Sequence, residues 1–134
     1  MKIVLDTNVL ASGIFWGGPP QKILTLWSKG KIQVLASELI LDEYLKTIEK
    51  LSQKLSRPDL ANSWSLILPT KITLVSVKKN FKLCRDPKDD MFIDSAVSGR
   101  ARYIVSGDRD LLVLEQAMGV QIITPSHFIT NPFK

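Results

Sequence analysis

The residues that could do chemistry here are acids, and they recur at punctuated places. Asp6 closes a short apolar run, Lys2-Ile3-Val4-Leu5, and is followed by Thr7 and Asn8. Asp108 follows a second such run, Tyr103 to Ser106, with Asp110 two residues further on. Asp90 and Asp94 stand i, i+4 on a helical pattern, on one face and at the border of an apolar stripe of Phe92, Ile93, Ala96 and Val97. Two carboxylates there repel each other, and an unpaired buried charge is costly. No Lys or Arg lies at i+3 or i+4 from Asp90, and none follows Asp94 before Arg100. That favours a cation, although a partner from elsewhere in the chain would serve. In a longer helical pattern Asp42 and Glu43 compete. Asp42 has Lys46 at i+4, an ordinary surface pair, whereas Glu43 shares its side with Leu39 and Ile40 and is the better candidate. Several of these acids have a purely structural alternative. Asp, Thr and Asn are good helix caps, and Asp108 and Asp110 suit the start of a helix.

For the acids to meet, the chain must bring strand ends and helix faces to one place. Strands are expected at Lys2–Leu5, Gln33–Ala36, Ile72–Val77, Tyr103–Ser106 and Val120–Thr124. Helices are expected at Thr7–Phe15, from Pro20 to Lys29, from a Ser37 cap to about Leu51, at Leu60–Leu68 with Pro69 as the stop, and from Asp86-Pro87 to about Ala101. Two more follow, from Asp108 to Met118 and near Ser126–Ile129. Asp86 fits the N-cap of the fifth helix, Pro87 its first position, and Asp89 a capping-box acid. Strands alternating with helices imply an α/β domain, a parallel five-stranded sheet with helices on both faces. In such sheets ligands bind at the carboxyl ends of the strands, where Asp6 and Asp108 fall. No repeat or long linker interrupts the pattern, so one domain over residues 1–134 is expected.

Composition narrows the classes. Hydrophobic residues make up 45% and charged residues 23%, ordinary for a globular chain. No apolar run approaches the roughly 20 residues of a membrane span, and the first residues run straight into a strand rather than a signal peptide. A cytoplasmic protein without a membrane partner is the expectation. One cysteine, Cys84, excludes an internal disulfide, and one histidine, His127, argues against a histidine-built zinc site. His127 reads as a capping or surface residue and Cys84 as structural. The net charge is +5, so gathering four acids (−4) in one site leaves +9 on the rest, a balance suited to a polyanionic substrate.

Four stretches together resemble the motifs of PIN-domain ribonucleases, in order and over nearly the whole chain. They are Asp6-Thr7-Asn8-Val9-Leu10, the Ser37-Glu38-Leu39…Asp42-Glu43 helix, Asp86-Pro87-Lys88-Asp89-Asp90-Met91-Phe92, and Ile104 to Leu112. The Gly17-Gly18-Pro19-Pro20 loop is similar to one in VapC-like toxins of toxin–antitoxin pairs. The resemblance implies a three-layer α/β/α domain that binds Mg²⁺ or Mn²⁺ and cleaves single-stranded RNA. It places Asp6, Glu43, Asp90 and Asp108 at the four family acids, with Asp94 and Asp110 where further acids are common. It also gives Thr7, Asn8 and Ser106 supporting roles. A homodimer and an antitoxin that blocks the crevice follow from the same resemblance, with the helices of Pro20–Lys29 and Ser37–Leu51 as the expected contact surface.

On this reading Asp6, Asp90 and Asp108 hold metal, with Asp94 and Asp110 nearby, and Glu43 orients water or binds a second cation. Four carboxylates balance two divalent cations at the usual separation of about 3.5–4 Å. Thr7, Asn8 and Ser106 hold the carboxylates by hydrogen bonds. Lys78, Lys79, Lys82, Arg85 and Lys88 form the densest basic stretch and are the expected RNA contacts, with a solvated loop as the alternative. Trp16 and Tyr103 read as core or interface residues. A haloacid-dehalogenase-like phosphatase would need Asp where Asn8 stands, and a phosphorelay receiver would need Asp near Val77-Lys78. The remaining alternative is an inactive PIN-like binding or assembly module.

Overall fold

Strand β1 (Lys2–Leu5) is the axis of the molecule: Ile3, Val4 and Leu5 are wholly buried, as a strand covered on both faces requires. The computed structural model describes residues 1–78, 80–84 and 86–131. After β1 come α1 (Thr7–Phe15), α2 (Pro19–Ser28) and β2 (Gln33–Ala36). Next are α3 (Glu38–Lys54), α4 (Pro58–Lys71) and β3 (Thr73–Leu74). A 3₁₀ turn (Pro87–Asp89) leads into α5 (Asp90–Ser98) and β4 (Tyr103–Val105). The chain then runs through α6 (Arg109–Leu112), β5 (Gln116–Ala117), β6 (Val120–Ile123) and α7 (Pro125–Thr130).

The described residues form a six-stranded sheet in the order β3-β2-β1-β4-β6-β5. The pairs β1–β2, β2–β3, β1–β4 and β4–β6 are parallel. From β1 the chain builds outward through β2 to β3, then returns to the other side of β1 to make β4. With right-handed crossovers, that reversal sends the connecting helices to opposite faces. It also makes the gap between β1 and β4 the topological switch point, where the carboxyl ends of two neighbouring strands open a crevice. The register sets Leu5 opposite Val105, so Asp6 and Ser106 emerge side by side.

The architecture is the α/β sheet expected, with differences at three places. A sixth strand, β5, pairs antiparallel with β6 inside the segment expected to be a helix to Met118. Helix α6 ends at Leu112, and Met118 and Gly119 both take positive φ (51° and 87°) between the paired residues Ala117 and Val120. Two central residues of that hand make the tight turn that suits the twist of a hairpin. Pro69 does not stop α4; it lies in the last turn, which closes with Ile72 N–H on the Leu68 carbonyl at 2.9 Å. The third strand keeps only Thr73–Leu74, followed by a bond from Val75 N–H to the Ala36 carbonyl (3.0 Å), and from Ser76 the chain leaves the sheet.

Helix α3 is set by its cap and its stripe. Ser37 Oγ accepts from Ile40 N–H (3.3 Å), and Ile40, Tyr44 and Ile48 are buried. The Tyr44 hydroxyl donates to the Leu5 carbonyl at 2.5 Å, which ties α3 to the end of β1 and so to the crevice.

Candidate metal centre

Asp6 follows β1 directly and is only 5% exposed. It occupies the N-cap position of α1 without making a side-chain cap bond. Its Oδ2 instead accepts the Ser106 hydroxyl at 2.6 Å. Ser106, wholly buried at the end of β4, also accepts the Asp108 N–H at 2.9 Å. Adjacent strand ends are thus linked through one hydroxyl. Burial raises the Asp6 pKa above the ordinary carboxylate range; the Ser106 hydroxyl and the Asn8 amide oppose this, while Asp108 and Glu43 add to it.

Glu43 comes from α3 and is held by the Thr7 hydroxyl, which donates to its Oε2. Glu43 lines the crevice with Thr47 one turn on, whereas Asp42 is exposed. Asp108 lines it from the other side, while its Oδ1 caps α6 by accepting Asp110 N–H at 2.9 Å. Capping and crevice-lining are therefore roles of one side chain. Asn8 borders the crevice with an exposed side chain.

The fifth helix departs from expectation. Its acid in the crevice is Asp89, at the end of the 3₁₀ turn, and not Asp90. Asp89 does not act as a capping-box acid: its Oδ2 is buried and finds no hydrogen-bond partner among the described residues. Asp86 caps the turn as expected, accepting Lys88 N–H at 3.0 Å. Asp90 and Asp94 are buried, but neither lines the crevice. Asp90 Oδ1 accepts the N–H groups of Leu83 (3.1 Å) and Cys84 (2.8 Å), and Asp94 Oδ1 accepts that of Phe81 (2.7 Å). Their charges are met by main-chain amides, which removes the need for a cation that their spacing suggested.

The resulting crevice is small, about 160 Å³, and lined by five acids, Asp6, Glu43, Asp86, Asp89 and Asp108, with Lys88 the one described cation on its wall. One carboxylate oxygen each from Asp89, Asp108 and Asp110 lie within 4.8 Å of one another. Burial, and then the charges of Asp108, Asp6 and Asp86, push the Asp89 carboxyl up to about 7. An orphaned buried oxygen amid converging carboxylates fits a hard divalent cation, and oxygen-only ligands suit Mg²⁺ or Mn²⁺.

Of the expected basic contacts, Lys78, Lys82 and Lys88 are exposed, while Lys79 and Arg85 lie outside the described residues. Tyr103 is a core residue, packed edge-to-face on Phe128 with ring centroids 5.9 Å apart, whereas Trp16 is 65% exposed. His127 lies exposed on α7, its ring 3.2 Å from the Asn131 amide. Cys84 is half-buried against Asp90, and burial with that neighbour pushes its thiol up to about 12. No helix among the described residues is long and apolar enough to cross a membrane.

Fold and crevice together define an α/β domain with an acidic pocket at the switch point of its sheet. A family model described as the PIN domain matches residues 2–110, and the chain belongs to that family. A relative in Methanocaldococcus jannaschii, the uncharacterized protein MJ1680, is 35% identical over 143 residues, covering 96% of this chain and 90% of its own. Among solved structures, the chain is similar to one in the crystal structure of VapBC2 from Rickettsia felis bound to a DNA fragment from their promoter. There the TM-score is 0.60 at 13% identity, over 91% of this chain and 97% of that one. That likeness is one of fold.

Proposed function

We propose that this protein is a divalent-metal-dependent endoribonuclease acting on single-stranded RNA in the cytoplasm, and the toxin of a toxin–antitoxin pair. The observation that carries the nuclease reading is the convergence of Asp6, Glu43, Asp89 and Asp108 on one crevice, with a buried Asp89 oxygen left without a donor. Membership of the PIN-domain family supports it. The fold shared with a chain of the VapBC2 complex supports an antitoxin partner; the homodimer is proposed from family membership alone.

Asp6, Asp89 and Asp108 would hold the cation, with Asp110 beside them. When bound, Mg²⁺ or Mn²⁺ neutralises charge on the phosphoryl oxygens and acidifies the attacking water. The chain's own groups do the positioning. By donating to the Asp6 carboxylate Ser106 ties the ends of β1 and β4 together, and by accepting the Asp108 amide it fixes the turn that carries Asp108. Thr7 occupies Glu43 Oε2, which leaves Oε1 to orient the water and take its proton. Lys88, on the wall of the crevice, offers a positive charge to a flanking phosphate.

The test is cleavage of a mixed-sequence single-stranded RNA with Mn²⁺, with EDTA, and by Asp6→Asn and Asp89→Asn proteins. Cleavage is expected only in the wild type with metal. Equal cleavage by both variants would overturn the site. A folded wild type that neither cleaves nor gains thermal stability from Mn²⁺ would make the inactive module the better reading.

A further inference from the structure

The segment between β3 and the Pro87 turn has no helix or strand of its own among its described residues, yet the amides of Lys78, Phe81, Leu83 and Cys84 find side-chain acceptors. Asp90, Asp94 and Ser98 stand i, i+4, i+8 along one stripe of α5. Read down the helix, Asp90 takes the N–H groups of Cys84 and Leu83 (2.8 and 3.1 Å), Asp94 that of Phe81 (2.7 Å), and Ser98 Oγ that of Lys78 (3.1 Å). The order is antiparallel: the further along α5, the earlier in the segment. Two of the three acceptors are carboxylates less than a tenth exposed. Meanwhile Lys78 and Lys82 stay exposed on the segment that leads through Asp86 and Lys88 into the crevice.

We infer that Asp90, Asp94 and Ser98 form a ladder of side-chain acceptors that straps residues 78 and 80–84 of the basic segment along α5. They are positioning residues for RNA, not metal ligands: they present Lys78 and Lys82 to the phosphates that flank the scissile bond. A carboxylate that receives two amide donors is a strong anchor, because the bonds are charge-assisted and Asp90 itself is buried. The part of the inference that concerns RNA rests on the nuclease reading above; the ladder itself does not.

The test uses the full chain and three variants, Asp90→Ala, Asp90→Asn and Asp94→Ala, each checked for a cooperative melt. Three quantities are read: hydrogen exchange of the 78–84 amides, Mn²⁺ binding followed by thermal shift, and affinity for single-stranded RNA in EDTA. The Ala variants should exchange the segment's amides at least about tenfold faster and bind RNA more weakly, with Mn²⁺ binding kept. Asp90→Asn, which retains an acceptor oxygen, should recover most of the protection. Loss of Mn²⁺ binding in Asp90→Asn as well as Asp90→Ala, with the amides still protected, would return Asp90 to the metal and overturn the ladder. Faster exchange with RNA affinity unchanged would overturn the positioning role. A wild type that binds no RNA would sink the nuclease reading, while exchange and Mn²⁺ binding would still decide between ladder and ligand. Should Asp90→Ala not fold, Asp90→Asn and Asp94→Ala carry the same comparison.

Discussion

The carboxyl of Asp89, pushed up to about 7, makes the metal-free centre sensitive to pH in a defined direction. The folded state holds the proton more tightly than the unfolded chain, whose value is near 3.8. Asp89 therefore favours folding fully below that unfolded value, and the contribution is lost as pH rises through about 7. Asp6, also raised, acts with the same sign. Asp89→Asn should thus melt higher than the wild type in EDTA at about pH 8, and the gap should close towards about pH 5. Mn²⁺ should raise the wild-type melting temperature at the higher pH and leave that of the variant unmoved. Ser106→Ala removes the donor on Asp6 and the acceptor for the Asp108 amide at once. A loss of about 10- to 100-fold in Mn²⁺ affinity or cleavage is expected, with the fold intact by circular dichroism. Asp6 and Asp108 were legible as crevice acids because a strand end fixes where each side chain goes; the helix face favoured Glu43 over Asp42 without deciding between them, and the motif resemblance chose it. Asp89 was not. The 3₁₀ turn at Pro87–Asp89 alters the angular phase at the helix start, so sequence spacing does not say which of two adjacent aspartates enters the crevice. Nor does it show which main-chain amides lack partners and will seek Asp90 and Asp94.

At the scale of elements, the strands and helices that carry the site were readable from apolar runs, caps and turn residues, and β1, α1 and β2 have the expected bounds. What escaped was the hairpin after α6. The residues from Leu111 to Ala117, from α6 into its first strand, are helix formers apart from Val113, and pairing of Gln116-Ala117 with Val120-Gln121 overrides that preference. The turn places Met118 at φ 51° with its side chain 63% exposed, so the residue adds strain and little packing. Met118→Asn, better suited to that conformation, should stabilise the protein by about 0.5–1 kcal/mol, read from its urea midpoint. Gly99, where α5 ends, has the opposite sensitivity. An added Cβ would meet Leu35 Cδ1 at 2.6 Å and Val75 Cγ2 at 2.9 Å, so Gly99 lets α5 approach β2 and the residue after β3 closely. Gly99→Ala should cost about 1–3 kcal/mol in the same measurement.

Across the whole molecule, the strand order turns a sequence with its acids scattered over a hundred residues into one acidic pocket on a basic body. The pocket attracts cations and the body attracts polyanions, so metal and RNA would bind to different charge. Binding of single-stranded RNA by the Asp6→Asn protein should weaken linearly in log affinity against log salt. Replacing Lys78 or Lys82 with Ala should reduce that slope by about 0.7 each, and an unchanged slope would return them to the solvated surface. The ladder on α5 has a consequence for how such a surface can change over time. Asp90, Asp94 and Ser98 grip amide nitrogens, so they do not distinguish between the residues to which those nitrogens belong. Any residue but proline can be held at positions 78, 81, 83 and 84. Mutation can therefore rewrite the outward side chains of the strap while its path and the acids of the pocket stay fixed. A lineage of such proteins could then vary the charge and shape of this surface without losing the path of the strap.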